Sequence, residues 1–459
     1  MDITNSWALR PSTALAVIGN PFRPHRARDY IRQASFAFHS RMRAESFRSD
    51  RTAHQGSTKI RFVTASTAFA LSALLLNAGA SAQDQPGITE SEIRIGQTMP
   101  YSGPVSAFGI LGKGEVAYFK MVNDRGGING RKINLISLDD GYVPPKTVEQ
   151  TRRLIESDEV AFIFSSMGTA HNTAIAKYLQ SKKIPQLFIA SGASKFGDVT
   201  QYPFAVMGVM APFRNEARMY ARYVIEKKPD ATFAVLAQND DFGRDYLAGL
   251  KDILGDRFEG AVTAAMYEVT EPTIDSQIVK LKATNANALI IAATPKFAAQ
   301  AIRKTYEIGW QPMRFLSNVS VWISSVMEPA GLEAGIGIVS TAYVKDPLDP
   351  AWTDDPGIKE WRAYMAKYVP DGDIRDSNYI NGYNNGMVLE HILRAAGNDL
   401  GRENIMKQAL SIRNLELPLL LPGIKVDTAQ NDHFPVEQVQ FMRFTGKQWE
   451  RFGEVQSTK

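Results

Sequence analysis

The chain has no cysteine among its 459 residues. That excludes disulfide scaffolds, thiolate-ligated zinc, iron–sulfur clusters, thiol catalysis and a lipid-modified cysteine. Histidine is scarce: six occur in all, and beyond residue 82 there are only His171, His391 and His433, with no H-E-x-x-H among them. Neither a zinc site nor a serine triad is suggested, and each His is read as a surface or hydrogen-bonded structural residue. The chain also lacks a G-x-S-x-G elbow, a G-x-x-x-x-G-K-[ST] loop and a G-x-G-x-x-G after a strand. Gly109, Gly112 and Gly114, like Gly335 and Gly337, have the wrong spacing. No cofactor, no metal and no enzymatic activity are expected.

What is present begins with a leader. Lys59 and Arg61 precede an apolar run from Phe62 to Ala78, and Ala80-Ser81-Ala82 supplies small residues for cleavage after Ala82. A membrane anchor is the other reading, but Thr64, Ser66, Thr67 and Ser72 interrupt a run at the short limit for spanning a bilayer. Residues 58–82 are therefore expected to be a signal peptide and the protein to be periplasmic. Residues 1–57 are either a long leader extension or an artefact of the gene start, with Met42 as one later start.

The leader also accounts for the basic charge. Residues 1–82 hold 11 Lys/Arg and 4 Asp/Glu out of totals of 52 and 48, leaving 41 and 44, a formal charge of −3 over 377 residues. No block of basic residues remains, so there is no electrostatic case for nucleic acid or an anionic membrane. A length of 377 residues fits two domains better than one compact core.

From Ile88 onward, short apolar runs alternate with helical patterns. Strands are expected at Ile93–Gly96, Ile133–Leu138, Val160–Phe164 and Gln186–Ile189, and helices at Leu111–Asp124, Val148–Ser157 and Thr173–Ser181. The rhythm repeats from Ala211 to Thr341, with strands at Thr232–Ala237, Ala261–Tyr267 and Ala288–Ala292 and a helix at Asp241–Leu254. Helices follow at Ile358–Tyr368, Tyr379–Ala396 and Arg402–Leu410, then a strand pair around Gly446. This is α/β architecture: parallel sheets carrying helices on both faces, in two similar lobes joined by direct chain crossings.

Open α/β sheets bind ligands at the carboxyl ends of their strands. Two such ends are rich in small and hydroxyl residues: Ser165 to Asn172, and Ala190-Ser191-Gly192-Ala193-Ser194. Free backbone N–H groups and a helix dipole would seat a carboxylate there, or the hydroxyls simply cap helices. Asp139-Asp140 and Asp240-Asp241 point to opposite sides of an extended chain, so they are strand-end and helix-start acids rather than a proton-sharing dyad.

Tyr101-Ser102-Gly103-Pro104, Phe108-Gly109, the segment Asn123-Asp124-Arg125-Gly126-Gly127-Ile128-Asn129-Gly130-Arg131-Lys132-Ile133, and Asp139-Asp140 resemble the branched-chain amino-acid (leucine/isoleucine/valine) binding proteins of ABC transporters. These belong to the periplasmic binding protein type I superfamily, and the resemblance runs through residues 88–455. It implies two Rossmann-like lobes with a three-crossing hinge, divided as 88–208 with 343–432 and 209–342 with 433–459. The lobes close on a small ligand, and the protein, a monomer as is usual in the family, docks on an inner-membrane ABC permease and its ATPase. The Gly-Gly-Ile-Asn-Gly turn is structural. The family's ligand contacts fall on Phe108, Gly168, Thr169, Ser191, Ala193 and Ser194 in the first lobe. In the second they fall on Phe242 and Thr294, with an aromatic near the hinge at Tyr379.

The departures bear on the ligand. Amino-acid binders of the family carry an acid for the α-ammonium, and here that position falls on Val319. A buried ammonium without a partner is costly, so an aromatic or aliphatic carboxylate is favoured over leucine or valine, unless Glu328 or Asp240 substitutes. The rival role is a ligand-binding sensor feeding a separate signalling partner.

Overall fold

The computed structural model describes residues 85–459; the leader and its cleavage site lie outside the described residues. The first lobe is built as β1 (Glu92–Met99), α1 (Gly109–Asp124), β2 (Lys132–Asp139), α2 (Pro144–Glu156), β3 (Ile163–Phe164), α3 (Thr169–Ser181), β4 (Gln186–Ile189) and β5 (Ala205–Met207). Its five strands lie in the order β2-β1-β3-β4-β5, all parallel. β5, three residues without a pattern of its own, is absent from the sequence reading. The glycine turn between α1 and β2 needs its glycines: Gly127 has φ +80° and a Cβ there would sit 2.0 Å from the Arg131 carbonyl oxygen.

The second lobe runs α4 (Phe213–Lys227), β6 (Phe233–Gln238), α5 (Asp241–Leu254), β7 (Val262–Tyr267), α6 (Asp275–Lys282), β8 (Ala288–Ala292), α7 (Pro295–Glu307), β9 (Met313–Leu316) and β10 (Val339–Ala342). β8 is buried at all five residues, as a central parallel strand covered on both faces should be. In α5, Phe242, Tyr246, Leu250 and Leu254 recur every fourth residue and are all buried. Asp240 caps that helix, accepting from the N–H groups of Phe242 at 3.0 Å and Gly243 at 3.4 Å.

After β10 come α8 (Pro356–Tyr368), α9 (Asn378–Ala396) and α10 (Arg402–Ala409). The first two pack on α1 of the first lobe: the Tyr364 hydroxyl donates to the Gly114 carbonyl at 2.7 Å, and the Tyr118 hydroxyl to Glu390 at 2.7 Å. The chain then returns as the antiparallel pair β11 (Gln438–Phe444) and β12 (Trp449–Ser457), which extends the second sheet to β12-β11-β10-β9-β8-β6-β7. Only this edge is antiparallel. No helix among the described residues is long and apolar enough to cross a membrane.

Candidate ligand cleft

The carboxyl ends of both sheets meet across one cavity of about 700 Å³, its open mouth included. From the first lobe, Phe108 enters from the turn before α1, Gly168 and Thr169 from the start of α3, and Ser191 from the end of β4. From the second lobe come Phe242 at the start of α5, Thr294 before α7, and Val319 in a single 3-10 turn, Asn318–Ser320. All six of these predicted contacts line the cavity, as does the position assigned to the missing ammonium acid.

Three predicted residues lie outside it. Ala193 is fully buried, and its N–H donates to the Ser191 hydroxyl at 3.2 Å. Ser194 is taken by the other lobe: its N–H and hydroxyl both donate to the Asp245 carboxylate, at 2.6 and 2.7 Å. Tyr379 lies in a separate groove beside Tyr101, on the far side of α1. On α9 the cavity is faced instead by Asn378, Asn381 and Asn385, spaced three and four apart. Tyr379 follows Asn378 and is therefore rotated about 100° off that face.

The start of α3 presents unpaired donors to the cavity. Gly168 is its N-cap and has no side chain to satisfy the first-turn N–H groups. Beside it the Thr169 and Ser191 hydroxyls meet at 2.7 Å, and one of the pair still has a proton to give. The Gly168 backbone has φ +102°, and a Cβ there would lie 2.4 Å from His171 Nδ1 and 2.9 Å from the Tyr142 ring. His171 is more than a surface residue: it is buried, its ring lies 4.0 Å from that of Tyr142, and burial lowers its pKa.

Apart from the asparagines of α9, Asn318 and two tyrosines, the remaining walls are apolar, and none of them is charged. Trp322 meets Phe108 edge to face at 5.3 Å across the cleft, and Phe213 packs on Phe242 at 4.6 Å. No Asp, Glu, Lys, Arg or His lines this cavity among the described residues. Both candidate substitute acids are engaged elsewhere. Asp240 caps α5 and accepts from the Gln238 side chain at 2.8 Å; Glu328 pairs with Arg375 at 2.7 Å. The other acid pair is structural too: Asp139 accepts from Ser102 and Gly141 and is held down at about 2, against the pull of partial burial.

Trp322, Tyr142, Asn318, Tyr343 and three of the four asparagines of α9 also line the cavity, and none of them is among the contacts expected from the sequence. The three- and four-residue spacing of Asn378, Asn381 and Asn385 along α9 is the available signal.

Buried acids beside the cleft set an expected pH profile. Burial pushes Glu115 up to about 8, and Asp245 and Asp376 up to about 6. Each therefore binds its proton more tightly folded than unfolded, so their contribution to stability is greatest at low pH and declines as pH rises from about 4 to about 8. The depressed Asp139 acts oppositely and is lost only as pH falls below about 4. His171 and His433, whose pKa values burial lowers, oppose this below about pH 6.5, so the clear signature is Glu115: the thermal midpoint should fall from pH 7 to pH 8. A midpoint still rising from pH 7 to pH 8 would contradict that assignment.

The comparisons with known proteins agree with this geometry. A family model described as periplasmic binding protein matches residues 92–448. The Leu/Ile/Val-binding protein homolog 7 of Brucella abortus (strain 2308) is 23% identical over 403 residues, covering 83% of this chain and 93% of that protein. The structure of a branched-chain amino-acid ABC transporter protein from Thermus thermophilus with bound valine aligns with TM-score 0.71 at 16% identity, covering 81% of this chain and 97% of that one. A fatty acid ABC transporter substrate-binding protein from Thermomonospora curvata aligns with TM-score 0.67 at 20% identity, covering 81% and 94%. With two such lobes, a cleft between them and a family match over most of its length, the chain belongs to the periplasmic binding protein family.

Proposed function

We propose that the protein is the periplasmic, signal-peptide-exported solute receptor of an ABC uptake system, and that its ligand is a carboxylate with an uncharged aromatic or aliphatic tail. The observation that carries the ligand class is the charge-free cavity with one anion seat. An anion finds first-turn amides, the one free proton of the Thr169–Ser191 hydroxyl pair and the positive end of a 13-residue helix. An ammonium would find no acid, and leaving it desolvated costs several kcal/mol. The fatty-acid neighbour and the valine-bound neighbour show that ligands of both kinds are taken by proteins of this fold.

The proposed lobe division at 208/209, 342/343 and 432/433 is supported by where the chain changes sheet. β10 ends at Ala342, α8 and α9 pack back on the first lobe, and β11 rejoins the second sheet. Closure would be stabilised by contacts made only across the cleft, such as Phe108 on Trp322, Ser194 on Asp245, and Lys195 on Asp241 at 2.8 Å. The closed surface would then be what a permease and its ATPase read.

The test is a thermal-shift panel of aliphatic and aromatic monocarboxylates beside leucine, valine, phenylalanine and glutamate. A ligand at 100 times its Kd adds about 2.7 kcal/mol, enough to raise the midpoint by several degrees. The expected result is a rise with one or more acids and none with the amino acids. A rise with leucine or valine alone would overturn the ligand class and leave the receptor role standing.

A further inference from the structure

A second cavity, of about 670 Å³ with its mouth, adjoins the first, and four residues border both: Asn318, Trp322, Tyr343 and Asn381. Asn318 is 6% exposed, and neither its Nδ2 nor its Oδ1 has a hydrogen-bond partner. Leaving such an amide unsatisfied costs about 1–3 kcal/mol. Its backbone N–H is anchored to the Glu216 carboxylate at 3.3 Å, so the side chain is held at the junction of the two spaces. A group that passes from one chamber to the other is the natural partner for it.

The second chamber differs in chemistry from the first. Asp346, Asp349, Arg375 and Arg451 line it together with Trp449. Arg451 lies over the Trp352 ring at 4.6 Å and pairs with Asp349 at 3.2 Å, yet its buried Nε has no partner. Charges of both signs balance there, which suits a neutral donor–acceptor group better than a second ion.

We propose that the ligand is an elongated acid that occupies both chambers, its carboxylate at Gly168 and Thr169 and a hydroxyl or carbonyl beyond its apolar stem. The stem crosses between Trp322 and Tyr343, the polar group meets Asn318, and the far end lies among Asp349 and Arg451. A short branched acid fills the first chamber only and leaves the Asn318 amide unpaired. This inference rests on the carboxylate reading above and deepens it.

Calorimetric titration of the purified protein with butanoate, hexanoate, decanoate and 10-hydroxydecanoate tests it, in the wild type and in Ser377→Trp. Ser377 lines the second chamber and not the first, so the indole fills that space. Affinity is expected to rise at least tenfold from hexanoate to 10-hydroxydecanoate. Ser377→Trp should remove that gain while leaving hexanoate within about twofold of wild type, which also serves as its folding control. Affinity that stays flat or falls beyond hexanoate overturns the two-chamber ligand and leaves the carboxylate reading intact, and the wild-type series alone decides this if the variant does not fold. A loss in Ser377→Trp equal for short and long acids overturns it as well. If no acid of the series or of the panel binds, the carboxylate reading falls and this inference with it.

Discussion

Replacing Gly168 by valine should abolish ligand binding while leaving most of the fold in place. Two effects act together. The backbone at φ +102° is one that a β-branched residue reaches only at a cost of about 1–3 kcal/mol. The added Cβ would also start 2.4 Å from His171 Nδ1, so either the histidine or the first turn of α3 must move. Because the proposed seat consists of the first-turn amides and Thr169, a displacement of the turn would remove the anion's donors together. An affinity loss of 100-fold or more is expected by calorimetry, with a lower midpoint in thermal unfolding. Wild-type affinity in Gly168→Val would place the carboxylate elsewhere in the cleft.

The second large effect is on stability. Glu216, fully buried in α4, accepts from the Tyr220 hydroxyl at 2.7 Å, from the Tyr246 and Thr341 hydroxyls, and from the Asn318 N–H at 3.3 Å. Burial raises its pKa and these donors oppose the rise. One carboxyl group thus ties α4, α5 and β10 to the turn that carries Asn318 and Val319. Glu216→Ala leaves the Thr341 hydroxyl and the Asn318 N–H without an acceptor in a dry interior, while Tyr220 and Tyr246 keep only the Leu316 carbonyl and the Ser317 hydroxyl, a cost of about 3 kcal/mol. Scanning calorimetry should show a midpoint lower by several degrees, with ligand affinity falling because Asn318 loses its anchor. Glu216→Gln, which keeps an acceptor oxygen, should retain part of the lost stability. An unchanged midpoint in Glu216→Ala would mean that the cluster contributes little.

Glu216 also marks the boundary of what the sequence discloses. The strands and helices with strong periodicity were legible nearly to the residue: Asp241–Leu254, Ala288–Ala292 and Gln186–Ile189 occupy the expected spans. Those segments carry their own signal, a cap, an every-fourth apolar stripe or a wholly apolar run. β5 was not legible because Ala205-Val206-Met207 has only three residues, too few to carry a pattern of their own.

The site divides in the same way. Gly168, Thr169 and Ser191 were readable because sheet-end turns rich in small residues advertise themselves. Phe108, Phe242 and Thr294 came from family resemblance rather than from local pattern. Ser194 and Tyr379 were misplaced by facts the sequence does not carry: an aspartate 51 residues away claims Ser194, and the rotation of α9 turns Tyr379 away from the cleft. Trp322 and Asn318 escaped notice because their role depends on how the two lobes meet.

The central claim is that the cleft holds an anion and has no place for an ammonium. Calorimetric titration with matched pairs tests it most directly: 4-methylpentanoate against leucine and 3-phenylpropanoate against phenylalanine, each pair differing only at the α-amino group. At least one of the acids is expected to bind at least tenfold more tightly than its amino-acid partner, since the ammonium adds desolvation cost without a compensating acid. Tighter binding of leucine or phenylalanine than of the matched acid would contradict the account and require an acid in the cleft that the structure does not place there.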